Sequence, residues 1–153
     1  MATSNSLLSY GILLWGNSSC SVLAFKAQKR TIRMIFKKPP RHSCRELFRT
    51  ARILPLPCLY IYEAAIYGYK NRDSWTTGSQ LHNYGTRSQY VYRLEVHRTA
   101  FYESCPEYSC KKIMNSLPPT ISDSPSLDIF KSKLKEWLLL HCFYKVSDLY
   151  SAA

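Results

Sequence analysis

The segment that follows two closely spaced prolines constrains the fold most. Leu54-Pro55-Leu56-Pro57 forms a stiff turn, and the predicted helix behind it, from about Cys58 to Asn71, is apolar on nearly every side. A helix that is hydrophobic all round is stable only when other elements cover it. With 153 residues, of which 46% are hydrophobic, the chain is long enough to build that cover. The sequence therefore predicts a mainly α protein with this helix in its centre.

Apolar residues spaced by threes and fours predict further helices on both sides of this core. The fold class that follows is a small irregular helical bundle with a long loop in the middle and a C-terminal amphipathic helix. Three parts are expected: a helical region, a polar loop and a C-terminal helical segment, covering residues 1–71, 72–90 and 91–153. The predicted outer helices cover about Leu7–Trp15, Cys20–Phe36, a short stretch after Ser43, Ser109–Leu117, and a long stretch after Ser124.

Helix ends are predicted from capping residues. A cap within Gly16–Ser19 is expected for the second helix, and Pro39 should end that helix because it disfavours the α region at the preceding residue. Ser43 with Glu46 fits a capping box, and Ser124 with Pro125 fits the start of the last helix.

The predicted helix from Cys20 to Phe36 carries a basic stripe. Ten of the chain's 21 Lys and Arg lie between Lys26 and Arg52, against one acid, Glu46. At about 100° per residue, five of these cations share one side of the helix and form the stripe: Lys26, Lys29, Arg30, Arg33 and Lys37. The opposite side, expected to be buried against the core helix, collects Ala24, Phe25, Ala27, Ile32, Met34 and Ile35.

The net charge of +11 favours polyanionic partners. Cations along one helix face can neutralise successive phosphates, and Trp75, Tyr84 and Tyr90 are candidates for stacking on unpaired bases. Two alternatives use the same helix. One is an ordinary solvated face, although such a face normally carries interspersed acids. The other is a membrane surface, which would need the apolar side of the helix to stay free.

Sequence motifs for catalysis are absent. The acids are scattered, no Gly-rich phosphate loop is present, and no nucleophile sits in an activating motif. A zinc site would have to use Cys105 and Cys110 with His97, His141 and Cys142, and this spacing is a poor match to paired ligands. The sequence thus predicts no cofactor, no metal and no small-molecule substrate.

Hydropathy and cysteine usage bear on location. No apolar run reaches the roughly 20 residues that span a bilayer, and no basic segment precedes Leu7–Trp15 to make a secretory signal. The six cysteines are scattered among apolar neighbours, which is typical of reduced thiols. We expect an intracellular protein, in the cytoplasm or nucleus, without a membrane partner.

Several ordered blocks resemble a known family. They are Tyr10–Asn17, Gln28–Ile35, Ser43–Phe48, Ile53–Pro57, His82–Arg87, Asn115–Pro118 and Phe130–Lys135. Together they are similar to the reverse transcriptases of jockey-like non-LTR (LINE-type) retrotransposons, in the region that follows the catalytic palm. The resemblance runs from about Leu7 to Tyr150.

The resemblance implies a role without catalysis. In that family the aromatic-Ala-Asp-Asp motif, with its Mg²⁺, belongs to a palm upstream of this region, and the motif is not in this sequence. The matching region corresponds to the end of the thumb, which grips template and primer. We therefore expect a truncated or degenerate copy, or the tail of a longer gene, that does not polymerise DNA alone. Thr31 stands where a small alanine is expected.

Two hypotheses follow. The first is a noncatalytic reverse transcriptase fragment that binds the backbone of RNA or DNA, and possibly the missing palm and thumb. The second is an inactive remnant or protein-interaction module, which an exposed Leu7–Trp15 would favour. For the first hypothesis the candidate nucleic-acid-binding residues are Lys26, Lys29, Arg30, Arg33, Lys37, Lys38, Arg41, Arg45 and Arg87.

Overall fold

The computed structural model describes residues 8–78, 91–103 and 105–152, and this part of the chain is mainly helical. The helices are α1 (Ile12–Trp15), α2 (Ser21–Ile35), α3 (Arg45–Ala51), α4 (Leu56–Asn71), α5 (Ala100–Glu103), α6 (Pro106–Asn115), α7 (Pro119–Ser122), α8 (Leu127–His141) and α9 (Ser147–Ala152). Within the described residues, strand pairing is limited to one isolated antiparallel bridge between Thr77 and Tyr92. The predicted fold class, an irregular helical bundle, is confirmed.

The predicted middle loop is described only in part. Residues 72–78 hold one 3₁₀ turn, Arg72–Ser74, and the bridge residue Thr77. The rest of the predicted loop, 79–90, lies outside the described residues.

Helix α4 is the centre of the bundle, as predicted. It begins at Leu56, two residues earlier than expected, because Pro57 is compatible with the first helical turn. It contacts α1, α2, α6 and α8. Its buried residues are Leu56, Cys58, Leu59, Tyr60, Ile61, Ala64, Ala65, Ile66, Gly68 and Tyr69.

Close packing on α4 comes from two later helices. A Cβ atom at Gly68 would lie 2.5 Å from Cγ of Met114, so the absence of a side chain there lets α6 approach. On another side the ring of Tyr69 stacks on Phe130 of α8 at 4.5 Å between centroids. The Tyr69 hydroxyl donates a hydrogen bond to the Ser124 carbonyl at 2.7 Å. One core cluster therefore joins residues from both halves of the sequence.

The C-terminal end of α8 is held by arginines from α3. Arg49 donates from Nε to the Leu139 carbonyl at 3.3 Å and from Nη2 to the Leu140 carbonyl at 2.6 Å. These carbonyls belong to the last helical turn, where intrahelical donors run out. Arg52 forms an exposed ion pair with Glu136. Arg49 and Arg52 thus have structural roles within the basic segment.

Three predicted caps are wrong. Helix α2 has Cys20 at its N-cap, with no side-chain cap bond. Helix α3 starts at Arg45, which leaves Ser43 one residue too early and places buried Cys44 at the cap. Helix α8 is capped by Ser126, whose Oγ accepts from the Ile129 amide at 3.4 Å. In each case the helix starts one or two residues later than predicted.

Helix α2 ends at Ile35, one residue before the predicted end at Phe36, and its geometry adds a feature. Lys37 has a φ of 50°, in the left-handed region. The Lys38 amide donates to the Arg33 carbonyl at 2.9 Å, and the Lys37 amide donates to the Met34 carbonyl at 3.1 Å. This pair of bonds is the Schellman arrangement, in which glycine usually takes the left-handed position.

Across the described residues, no helix is long and apolar enough to cross a bilayer.

Candidate nucleic-acid interface

Helix α2 packs on the core through a narrow face. Phe25 and Ile32 are buried. Gln28 lies between them and bridges to the turn before α4: its Nε2 donates to the Leu54 carbonyl at 2.9 Å, and its Oε1 accepts from the Leu56 amide at 2.8 Å. The basic helix is therefore attached to the central helix by both apolar contact and a two-way polar bridge.

The predicted apolar face of α2 is only partly correct. Phe25 and Ile32 are buried and Ala24 is half-buried, but Ala27, Met34 and Ile35 are exposed. The buried face is turned toward Phe25, Gln28, Lys29 and Ile32, because the bundle covers this side. As a result, Met34 keeps 65% of its surface in solvent.

Four of the five predicted stripe residues line one surface pocket. This pocket has a volume of about 570 Å³ and is lined by Lys26, Lys29, Arg30, Arg33, Met34, Lys38 and Pro40. No acidic side chain is among these described lining residues. Because five cations face one concavity without a neutralising carboxylate, the pocket is suited to an anion that carries several charges.

Two of the pocket cations are held by the protein itself. The Nζ atom of Lys29 lies 4.5 Å from the ring centroid of Phe25 and 5.5 Å from that of Tyr144. Arg33 donates from Nε to the His42 carbonyl at 2.9 Å. Both residues are half-buried, whereas Lys26, Arg30 and Lys38 are exposed. Lys29 and Arg33 are thus oriented in advance, and the other three cations are exposed to solvent.

Tyr144, from the segment after α8, lies under this basic surface. Its ring is also 4.9 Å from the guanidinium carbon of Arg45 and packs edge-on against Phe25 at 5.1 Å. Burial raises the pKa of the Tyr144 hydroxyl to about 12. That hydroxyl oxygen is buried and has no hydrogen-bond partner within the described part of the chain. Sequence reasoning missed Tyr144, since it lies more than 100 residues after Lys29 and in no motif.

The remaining predicted site residues lie outside the pocket. Lys37 and Arg41 are exposed next to it in sequence. Arg45 is exposed on α3, with its guanidinium over Tyr144. Arg87 lies outside the described residues, as do the proposed base-stacking candidates Tyr84 and Tyr90.

Trp75, the third predicted stacking residue, is buried. It is 6% exposed and meets Tyr92 edge-on at 5.3 Å between centroids. Its large apolar ring fills the core near α6 and has no face available to a base. The prediction for Trp75 is therefore wrong.

The residues weighed as zinc ligands have other contacts. His97 bonds to Glu103 through Nε2 at 3.1 Å, and Cys110 is fully buried. His141 packs against Trp137, while the Cys142 thiol points to the Arg45 carbonyl at 3.8 Å. In the part of the chain that the structure describes, no group of three or more His, Cys, Asp or Glu could hold a metal ion.

Comparison with protein-family models, with curated proteins and with solved structures finds no match for this chain.

Proposed function

We propose that this chain is a noncatalytic C-terminal region of a retrotransposon reverse transcriptase, and that it binds RNA or DNA through phosphate contacts. The observation that carries the binding role is the pocket in which Lys26, Lys29, Arg30, Arg33 and Lys38 converge without an acid. The link to reverse transcriptases rests on the sequence resemblance. The parent activity would be RNA-directed DNA synthesis, with Mg²⁺ and catalysis in another domain.

Phosphate binding follows from electrostatics. Each cation that meets a phosphate releases a condensed counterion, so the affinity falls with salt in proportion to the number of contacts. Such contacts position a protein on nucleic acid but carry no sequence information. We therefore propose weak sequence preference and steep salt dependence.

The test uses the exposed cations of the pocket. Lys26→Gln with Arg30→Gln removes two charges that have no structural role in α2, whereas replacing Lys29 or Arg33 would also disturb packing. We expect weaker binding to RNA and DNA, with the slope of log affinity against log salt reduced by about 1.4–1.8 for two lost contacts.

A matched control removes the same charge elsewhere. Lys70→Gln with Lys135→Gln changes two exposed lysines outside the pocket and should leave the slope unchanged. If both double variants weaken binding equally, net charge alone explains the affinity. If none of the proteins binds, the proposed function is wrong.

One observation favours the second candidate, a protein-interaction module. In the N-terminal apolar segment Ile12 is buried, but Tyr10 and Leu14 are 86% and 80% exposed. Such side chains are suited to self-association or to a protein partner. If this candidate is correct, the wild type should form oligomers at rising concentration, and Leu14→Gln should keep it monomeric in light scattering, without dependence on the pocket charges.

A further inference from the structure

The walls of the basic pocket are not uniformly polar. Met34 and Pro40 line it together with the five cations. Met34 is 65% exposed, although its spacing in the sequence fits a buried face. A thioether held in solvent beside guanidinium and ammonium groups gives the pocket one apolar, polarisable surface.

The size of the pocket limits how much nucleic acid it can contact. From Lys26 to Arg33 the helix advances by about 10 Å at 1.5 Å per residue. The pocket can therefore contact only a few neighbouring nucleotides.

An apolar surface in such a pocket can contact nucleic acid only where a base reaches it. In a duplex the bases are stacked and paired, so a surface pocket meets phosphate and sugar. In an unpaired strand a base can turn outward and lie against a guanidinium plane or another side chain. Methionine sulfur makes favourable contacts with aromatic rings, and a nucleobase offers a comparable face.

Resting on the proposed function, we propose that the pocket binds an unpaired segment of RNA or DNA in preference to a duplex. Phosphates contact Lys26, Lys29 and Lys38, and one base lies against the Met34 thioether and the Arg30 guanidinium. The pocket favours an unpaired strand over other polyanions because it combines cations, which contact phosphates, with an exposed apolar side chain, which contacts a base.

The test compares two neighbouring residues of α2. Met34→Gln removes the apolar surface inside the pocket, and Ile35→Gln makes the same kind of change at a residue that is 51% exposed and does not line the pocket. Glutamine and methionine have similar helix propensity, so α2 is retained, and circular dichroism checks this. The probes are a short unstructured RNA and a blunt-ended RNA duplex without a loop, with equal numbers of phosphates.

We expect the wild type to prefer the unstructured RNA. Met34→Gln should weaken that binding by about two- to tenfold, in line with sulfur–aromatic contacts. Its binding to the duplex and its salt slope should not change, because no charge is lost. Ile35→Gln should bind both probes as the wild type does.

Three outcomes would overturn the inference. Equal affinity for both probes, with dependence on Lys26 and Arg30, would leave the proposed function standing and remove the strand preference. Equal weakening by Met34→Gln and Ile35→Gln would show that the pocket wall is not involved. If Met34→Gln weakens binding to anionic phosphatidylserine vesicles but not to RNA, the apolar surface serves a bilayer. If Lys26→Gln with Arg30→Gln leaves binding to both probes unchanged, the proposed function itself is refuted.

Discussion

Replacing Gln28 by Met should cost this protein about 2–4 kcal/mol of unfolding free energy, since a buried donor or acceptor left without a partner costs about 1–3 kcal/mol. The side chain of Gln28 satisfies two backbone groups at once, the Leu54 carbonyl and the Leu56 amide. Leu54 and Leu56 are 3% and 1% exposed, so water cannot readily replace the lost bonds. Methionine keeps the length of the side chain and removes both hydrogen-bonding atoms.

Urea unfolding, followed by tryptophan fluorescence, measures this loss. The midpoint should fall while the slope with urea stays unchanged, because the surface exposed on unfolding is the same. The melting temperature should drop by roughly 5–15 °C at this chain length. Thr31→Val is the control. Thr31 is exposed on the same helix, and within the described contacts its hydroxyl bonds only to the Ala27 carbonyl. This substitution should change the free energy of unfolding by no more than about 0.5 kcal/mol.

The reasoning about Gln28 fails if Gln28→Met lowers the free energy of unfolding no more than the control Thr31→Val does. It also fails if Gln28→Glu is neutral. A carboxylate can still accept from the Leu56 amide, but it cannot donate to the Leu54 carbonyl and would face it with like partial charge.

Three further predictions concern stability. Lys37→Gly should raise the free energy of unfolding by about 0.5–1 kcal/mol, because glycine avoids the steric penalty of the left-handed conformation at φ 50°. The gain is limited because glycine loses more backbone entropy on folding. Lys37→Ala, measured alongside, should give no gain. Gly68→Ala should lower it by about 1–3 kcal/mol through the clash with Met114, and a smaller loss in a Met114→Ala background would identify that contact. Burial raises the pKa of the Cys110 thiol from 9.0 to about 12 and also raises the pKa of Cys58, so the folded chain keeps protons that the unfolded chain releases above about pH 9. Stability should therefore fall as the pH rises from 9 toward 12, and urea midpoints that stay constant over this range would contradict the assignment.

The sequence was sufficient to predict the fold class and its central helix. The stretch after Pro57 is apolar on all sides, so only a bundle could accommodate it, and α4 is indeed the most buried helix. Helix α8 was also predictable, since Phe130, Leu134 and Leu138 follow one face and are all fully buried. Caps were less predictable: Cys20 and Cys44 hold the N-cap positions of α2 and α3 without a side-chain cap bond, and at α8 the cap is Ser126 rather than Ser124.

The candidate site was predictable in its charges but not in its surroundings. The spacing of Lys26, Lys29, Arg30 and Arg33 placed them on one side of a helix, and all four line the pocket. Helical periodicity could not say which side the core would cover, because Met34 and Ile32 are equally apolar. Nor could it indicate that Tyr144 would lie against Lys29, since this contact depends on how the end of α8 folds back onto α2.

By itself the sequence determined the local properties: where helices form, which one is too apolar for water, and where positive charge gathers. These depend on neighbours within a few turns, for which propensity and periodicity suffice. Only the tertiary structure decided how far α2 is rotated against the core, which leaves Met34 exposed and Lys29 half-buried. The physical reason is that rotation of an amphipathic helix is set by contacts such as Gln28 with Leu54 and Phe25 with Tyr144, whose partners lie far away in the chain.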